Sequence, residues 1–315
     1  VESGQGSFEG VLGYQPGEGG SGGELVGRID LGLKNLFGTG RSGRVRWEDL
    51  GEGIEDLELS YRDPWVAGTP YNVSLSFMQE ERNIHGYIKT AFSGAVDRHL
   101  GALNLQAGVR YEKVSADSLS SSRTAGFELG AVWNTLDNRL NPSRGIRYAG
   151  SWTYSSKAFR FGGRKKTGVE RRELDFDNFL PTLRRQTAAL LVRYRVIDID
   201  PNRLSLSDRY WLGGASSIRG YRERLFPAVE ALLSTVEYRF LTGADSRFFL
   251  FIDHGWLVDR ERSGEKFVKK TASHTGYGFG IRLRSRAGML GFDYGLALGD
   301  GPGDGKLHVR MSTEF

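Results

Sequence analysis

Apolar and polar residues alternate with a period of two along nearly the whole chain. Leu25, Gly27, Ile29, Leu31 and Leu33 alternate with Val26, Arg28, Asp30, Gly32 and Lys34. Leu103, Leu105, Ala107, Val109 and Tyr111 oppose Asn104, Gln106, Gly108, Arg110 and Glu112. The pattern returns at Ile146, Tyr148, Gly150, Trp152 and Tyr154, and again at Tyr277, Phe279, Ile281 and Leu283. A β-strand has this two-residue repeat, and here one face is greasy while the other is polar or glycine. No stretch of a dozen residues carries a helical period. Turn signals divide the chain into about sixteen strands, near 6–14, 25–36, 42–50, 54–63, 70–80, 84–96, 99–112, 122–134, 145–158, 170–180, 184–198, 228–241, 246–258, 274–285, 288–299 and 306–315.

The connections follow a rule of their own. After odd strands they read as long and polar: Gln15–Glu24, Lys113–Ser121, Phe159–Val169, Ile199–Pro227 and Asp259–Ser273. After even strands they are tight, as at Asp97–Arg98, Leu180–Leu183, Leu241–Asp245 and Ser285–Ala287. Long loops on one rim and short turns on the other are the arrangement of bacterial outer-membrane barrels, with the short side periplasmic.

Composition decides between two ways of using such strands. A mean hydropathy of −0.40 and 26% charged residues look soluble, and no apolar run approaches a membrane helix. A transmembrane barrel averages to the same polarity, because its strands face lipid and lumen alternately. Glycine is 44 of 315 residues against 8 prolines, and aromatics are 12%, which fits neither collagen nor a disordered tether. A water-soluble β-sandwich also alternates. It does not explain Trp47, Trp65, Trp133, Trp152, Trp211 and Trp256 on the apolar faces near strand ends, where an aromatic girdle belongs. The expected fold is therefore all-β, an antiparallel transmembrane β-barrel of sixteen strands. Its barrel domain is expected to fill residues 1–315, and 199–227 to fold into the lumen.

Chemistry is largely excluded. The chain has no cysteine, hence no disulfide, thiolate zinc site or thiol nucleophile. The net charge of +5 is mild and dispersed, so nucleic acid is not an expected partner. Gly38–Gly43 fits a dinucleotide-binding pattern, but a strand follows it where that chemistry needs a helix start. The Asp300–Gly305 run lacks the glutamate a calcium loop requires. The five histidines form no metal-ligand spacing, and no nucleophile elbow occurs. No catalytic residue, cofactor or metal is expected. The basic residues Arg160, Arg164, Lys165, Lys166, Arg171 and Arg172 form a solvated outer loop or meet lipopolysaccharide phosphates.

The connection 199–227 is long, aperiodic and rich in aromatics beside paired glycines, Tyr210-Trp211-Leu212-Gly213-Gly214, then Ser217-Ile218-Arg219-Gly220-Tyr221. Such a loop is functional rather than disordered. Alternation turns Glu237 and Arg239 of one following strand, and Phe249, Phe251, Asp253 and Gly255 of the next, toward the lumen. A carboxylate in a partly dry lumen needs a cationic partner, and an arginine fork can bond two at once. Arg219 at the loop tip is the natural partner, although all three charges also suit the lining of a wet pore.

Gly213-Gly214 with Ser217-Ile218-Arg219-Gly220-Tyr221, then Phe251-Ile252-Asp253-His254-Gly255, then a final strand ending at Phe315, resembles the BamA-type outer-membrane assembly and two-partner-secretion superfamily. So do Asn35–Arg41 and the turn 137–145, with Asp137, Arg139, Pro142 and Gly145 in place. The resemblance implies a sixteen-stranded barrel whose sixth extracellular loop tucks inside, its arginine bonding inward acids of the twelfth and thirteenth wall strands. Mapped here, the loop lock comprises Arg219, Gly220, Tyr221, Glu237, Phe251, Asp253 and Gly255. The family carries periplasmic POTRA domains ahead of the barrel, and none is expected within this chain.

The implied function is insertion and folding of other β-barrels in the bacterial outer membrane through a lateral seam between the first and last strands, marked by Gly6, Gly10, Val309 and Phe315. Expected partners are unfolded outer-membrane proteins or one secreted protein, outer-membrane lipids and lipopolysaccharide, and accessory lipoproteins. A two-partner-secretion pore shares every motif and stands as the alternative. A diffusion porin or a barrel enzyme is the remaining class.

Overall fold

The computed structural model describes residues 6–15, 24–51, 53–116, 121–160, 166–263, 266–285 and 288–314. Among these, sixteen strands build one antiparallel sheet. They are β1 (Gly6–Gln15), β2 (Glu24–Leu36), β3 (Arg41–Asp49), β4 (Ile54–Asp63), β5 (Asn72–Arg82), β6 (Tyr87–Leu100), β7 (Leu103–Ala116) and β8 (Ser122–Asn134). The second half is β9 (Gly145–Phe159), β10 (Lys166–Pro181), β11 (Gln186–Ile199), β14 (Glu230–Leu241), β15 (Arg247–Ser263), β16 (Lys266–Ser285), β17 (Gly288–Ala297) and β18 (Lys306–Glu314). Two short strands, β12 (Tyr210–Leu212) and β13 (Phe226–Ala228), pair only with each other inside the long connection. Neighbours in sequence are neighbours in the sheet, β11 pairs with β14, and β1 meets β18, so the sheet returns on itself as a closed barrel.

Burial separates the two uses of alternation that the pattern alone leaves open. Val109 is 65% exposed, Ile252 55% and Val236 53%, whereas Asp253 and Asp293 are 1% exposed. A soluble sandwich buries its apolar faces; this molecule buries carboxylates and presents Val, Ile, Leu and Phe outward. An apolar exterior of this extent belongs in lipid. No helix among the described residues is long and apolar enough to cross a membrane, and the crossing elements are strands.

The observed strand ends lie within a few residues of the expected ones, but the expected turn Asp97–Arg98 lies inside β6, opposite Gln106 and Leu105, and the chain turns instead at Gly101 and Ala102. The predicted loop Asp259–Ser273 is instead the tip of a long hairpin, in which β15 and β16 stay paired out to Ser263↔Lys266. Polar composition does not end a ladder that backbone hydrogen bonds sustain beyond the lipid band. Trp211 also departs from expectation. It lies on β12, off the wall, and stacks on His85 with ring centroids 4.3 Å apart. Trp65, Trp133 and Trp152 are exposed, while Trp47 and Trp256 are half-buried. Gly38–Gly43 forms the β2–β3 turn and its strand start, with Gly40 N–H donating to Asn35 Oδ1 at 2.8 Å.

Candidate functional site

β14 and β15 run antiparallel with Glu237 opposite Phe251 and Thr235 opposite Asp253. The period of two turns Thr235, Glu237, Arg239, Phe249, Phe251 and Asp253 to the same inner face. Against that face the connection places Arg219, 7% exposed. Its Nε and Nη2 donate to Asp253 Oδ2 and Oδ1 at 2.7 and 2.8 Å, its Nη1 to Glu237 Oε1 at 3.1 Å, and its backbone N–H to Asp253 Oδ2 at 3.0 Å. The guanidinium carbon stands 3.5 Å from the centre of the Phe251 ring. Neither acid is left half-satisfied: Thr235 Oγ1 donates to Asp253, and Arg239 grips Glu237 through Nε and Nη2 at 2.9 and 2.7 Å. A buried charge network persists only when most of its lone pairs and protons are used; here both carboxylates are held by several donors, while Arg239 Nη1 is buried without a hydrogen-bond partner and the guanidinium lies over the Phe179 ring. Burial works against the Arg219 charge, but the hydrogen bonds to Asp253 and the two carboxylates overrule it and hold its pKa above the ordinary arginine value.

Glycines make room for the tip. Gly220 has φ +94°, and a Cβ there would strike the backbone of Leu296 and Ala297; a Cβ at Gly255 would strike Ile218. Tyr221 hydroxyl donates to the Thr275 carbonyl at 3.2 Å, and its ring meets Phe226 and His274 edge-on. The structure thus assembles all seven residues of the expected loop motif at one place. Gly276 and Gly295 belong with them, since a Cβ at either would collide with the Arg219–Gly220 backbone. Their inward position was visible as the glycine face of an alternating strand; their role was not.

Further tethers carry no sequence motif. Asp208, 3% exposed, accepts from Lys157 Nζ at 2.7 and 2.6 Å and from Ser205 N–H and Oγ at 2.8 and 2.6 Å. Lys157 on β9 is itself 1% exposed. Burial alone raises the Asp208 carboxyl, yet Lys157, Arg171 and the hydrogen bonds outweigh it and set its pKa below the ordinary aspartate value. Across the barrel, Arg224 pairs with Glu48 of β3 at 2.8 Å and with Asp56 of β4. The connection is therefore held on β9, on β14–β15 and on β3–β4, and also on β6, where Lys89 Nζ donates to the Ser207 carbonyl at 3.1 Å, and on β10, where the Tyr210 hydroxyl donates to Glu173 Oε1 at 3.0 Å.

The seam residues fall differently. Among the described residues, β1 joins β2 over ten residue pairs but meets β18 over three, Ser7↔Glu314, Phe8↔Thr313 and Glu9↔Ser312. Gly6 pairs with Leu33 of β2, and Phe315 lies outside the described residues. Gly10 and Val309 take no part in the β1–β18 ladder; they pair with Ile29 and Phe292 on their other sides. Continuing the observed register opposes Gly10 to Met311, so Gly10 and Val309 are not partners.

The turn 136–144 is stiffened from within and anchored at a distance. Asp137 accepts from the Ser143 and Arg144 N–H groups at 2.9 and 3.2 Å. Asn141, 3% exposed, donates to the carbonyls of Ala244 and Ser246 at 3.1 and 3.4 Å, and Arg247 donates to Asn141 Oδ1 and the Leu140 carbonyl. Pro142 is buried, and Gly145 has φ +108°, where a Cβ would meet the Thr135 carbonyl. Arg139, exposed, borders with Leu140 a cavity of about 830 Å³ behind β1–β5, whose other lining includes Ser7, Glu9, Asp30 and Arg44.

Residues 35–315 match the Omp85 superfamily domain. Comparison with curated proteins gives no match. Among solved structures, the fold resembles BamA from Haemophilus ducreyi lacking POTRA domains 1–3 (TM-score 0.66, 14% identity, 100% of this chain and 71% of that one). It also resembles CdiB from Acinetobacter baumannii (0.64, 15%, 99% and 60%) and CdiB from Escherichia coli (0.67, 15%, 100% and 64%). The chain thus spans less than two thirds of either CdiB chain, and at these identities the likeness speaks for the fold. A match running from the second strand to the last residue, on a barrel with an apolar exterior, makes this chain a member of the Omp85 superfamily and a β-barrel protein of the outer membrane.

Proposed function

We propose that the protein inserts and folds other β-barrel proteins in the outer membrane, by opening the junction of β1 and β18 and offering the freed edges to a client strand. The observation that carries this reading is the ladder of three pairs at that junction among the described residues, against ten between β1 and β2. Each lost pair removes ladder hydrogen bonds, so this is where the sheet opens at least cost, and an unpaired edge templates an added strand. The loop 199–227 acts as a lumen-filling lock. Arg219 holds it to the stable side of the wall, and Arg224 reaches past the junction to β3–β4. The short-turn rim faces the periplasm, from which unfolded clients, with accessory lipoproteins, approach; lipids and lipopolysaccharide surround the wall.

The test is a disulfide across the junction, Phe8→Cys with Thr313→Cys. Oxidation is expected to abolish client insertion, and reduction to restore it. Ser76→Cys with Ser93→Cys, which ties β5 to β6 where the two serine hydroxyls lie 2.6 Å apart, is expected to leave insertion unchanged. Insertion that survives oxidation of the first pair would overturn the proposal.

A secretion pore is the second reading, favoured by the equally good likeness to two CdiB chains. It requires the loop to leave the lumen. A disulfide between Ile218→Cys and Gly255→Cys would then block export of a secreted partner, while an insertase would still work with the junction free.

A further inference from the structure

One row of the outer wall carries cations where a membrane barrel turns from lipid to water. Lys113 of β7 stands opposite Arg123 of β8, Arg123 opposite Ala158 of β9, and Ala158 opposite Lys166 of β10. The row lies at the long-loop end of all four strands. Lys113, Arg123 and Lys166 are exposed, and their parity is that of the apolar outer face: Tyr111, Phe127 and Tyr154 lie on the same face, two to four residues nearer the middle of the wall, at 41%, 42% and 46% exposure.

Like charges directly opposed across a strand pair destabilise it. Lower on the wall such a cost is met within the protein: Glu170 accepts from the Trp152 indole at 3.0 Å and pairs with Arg172 at 3.2 Å. Among the described residues, no carboxylate stands within ion-pairing distance of Lys113, Arg123 or Lys166. The small side chain of Ala158 leaves a gap between Arg123 and Lys166, and the Tyr154 ring lies against Gly168, one outward-facing step along β10 from Lys166. Aromatic rings mark the lipid–water interface, and cations one or two outward-facing steps beyond them lie at the level of lipid phosphates.

We propose that Lys113, Arg123 and Lys166 form a binding site for the phosphate groups of an anionic lipid in the outer-membrane surface, with Tyr154 and Phe127 against its apolar part. The site rests on the assignment of the long-loop rim to the outer face. It orients the β7–β10 wall in the membrane, on the side of the barrel away from the β1–β18 junction. The occupant is a membrane lipid, since the phosphate site and the apolar rings are adjacent and only a lipid presents both groups together.

The experiment uses the whole chain reconstituted in phosphatidylcholine vesicles, with or without a diphosphorylated lipid, followed by detergent extraction and native mass spectrometry of retained lipid. The variant is Lys113→Gln/Arg123→Gln/Lys166→Gln, whose folding is checked by heat-modifiable gel mobility. Wild type is expected to retain the diphosphorylated lipid, with retention falling about fivefold per cation removed. Arg172→Gln, which removes an already paired cation, is expected to change retention little. Equal retention by the triple variant and wild type would overturn the site. An equal loss from Arg172→Gln would reduce it to diffuse charge, and displacement by inorganic phosphate would rule out the lipid as its occupant. No client is present in the assay, so its outcome is independent of whether the junction opens.

Discussion

At the scale of single residues, Arg219 concentrates the most interaction in the fewest atoms. Arg219→Ala leaves Asp253 and Glu237 buried without their shared cation, and breaking a buried pair from one side costs about 3–5 kcal/mol. The expected result is a lower heat-modification temperature and a lower urea midpoint on gel mobility. Arg219→Lys should fall between, because an ammonium keeps the charge but cannot span two carboxylates as the planar fork does. Equal midpoints for wild type and both variants would show that the clasp is a passive lining. Asp208 adds a pH dependence whose sign follows from its depressed pKa. The stabilisation is complete above the free carboxylate value of about 3.9 and is lost as pH falls through the folded value. Asp208→Asn should therefore be less stable at neutral pH and less acid-sensitive than wild type, as read by thermal unfolding down to about pH 3. The arginine and its acids were legible because a recognisable motif and strand parity pointed at the same side chains. Lys157 and Asp208 were not, since a lone lysine in a strand and an aspartate in a loop are unremarkable until folding brings them together.

Among elements, the connection between β11 and β14 behaves as a strap fastened at several points around the wall. The fastening on β3–β4 is expected to matter most to the junction, because Arg224 joins the connection to strands beyond β1 and β2. Arg224→Ala should speed cross-linking of client strands to Cys-substituted β1 while leaving the Arg219 clasp in place; an unchanged rate would place Arg224 outside the opening step. The turn 136–144 is a second element whose reach exceeds its sequence. Asn141→Ala removes donors to carbonyls of the β14–β15 turn and is expected to cost about 1–3 kcal/mol, measured as a lowered unfolding midpoint. Strand positions were legible from period and turn residues. The hairpin tip at 259–273 was not, because beyond the lipid band its polar residues read like a loop while backbone pairing continues.

For the whole molecule, the uneven ring of ladders is the decisive property. Among the described residues, fifteen junctions follow from strands adjacent in the chain or separated only by the long connection, whereas the sixteenth joins β1 to β18 and has three pairs. A barrel so closed is expected to show protease access or hydrogen exchange at β1 and β18 before any other strand. Uniform protection around the wall would contradict a weak junction.

Strand count, wall parity and the inward direction of Glu237 and Asp253 were determined by the sequence alone, because a period of two is a local property that needs no partner to be read. The three-pair junction, the Lys157–Asp208 pair, the anchoring of Asn141 and the Arg224 contact with Glu48, 176 residues away, were decided only by the tertiary structure. Each depends on how far every strand is shifted against its neighbour around the ring. That sum of registers sets which distant side chains face one another, and no local pattern carries it.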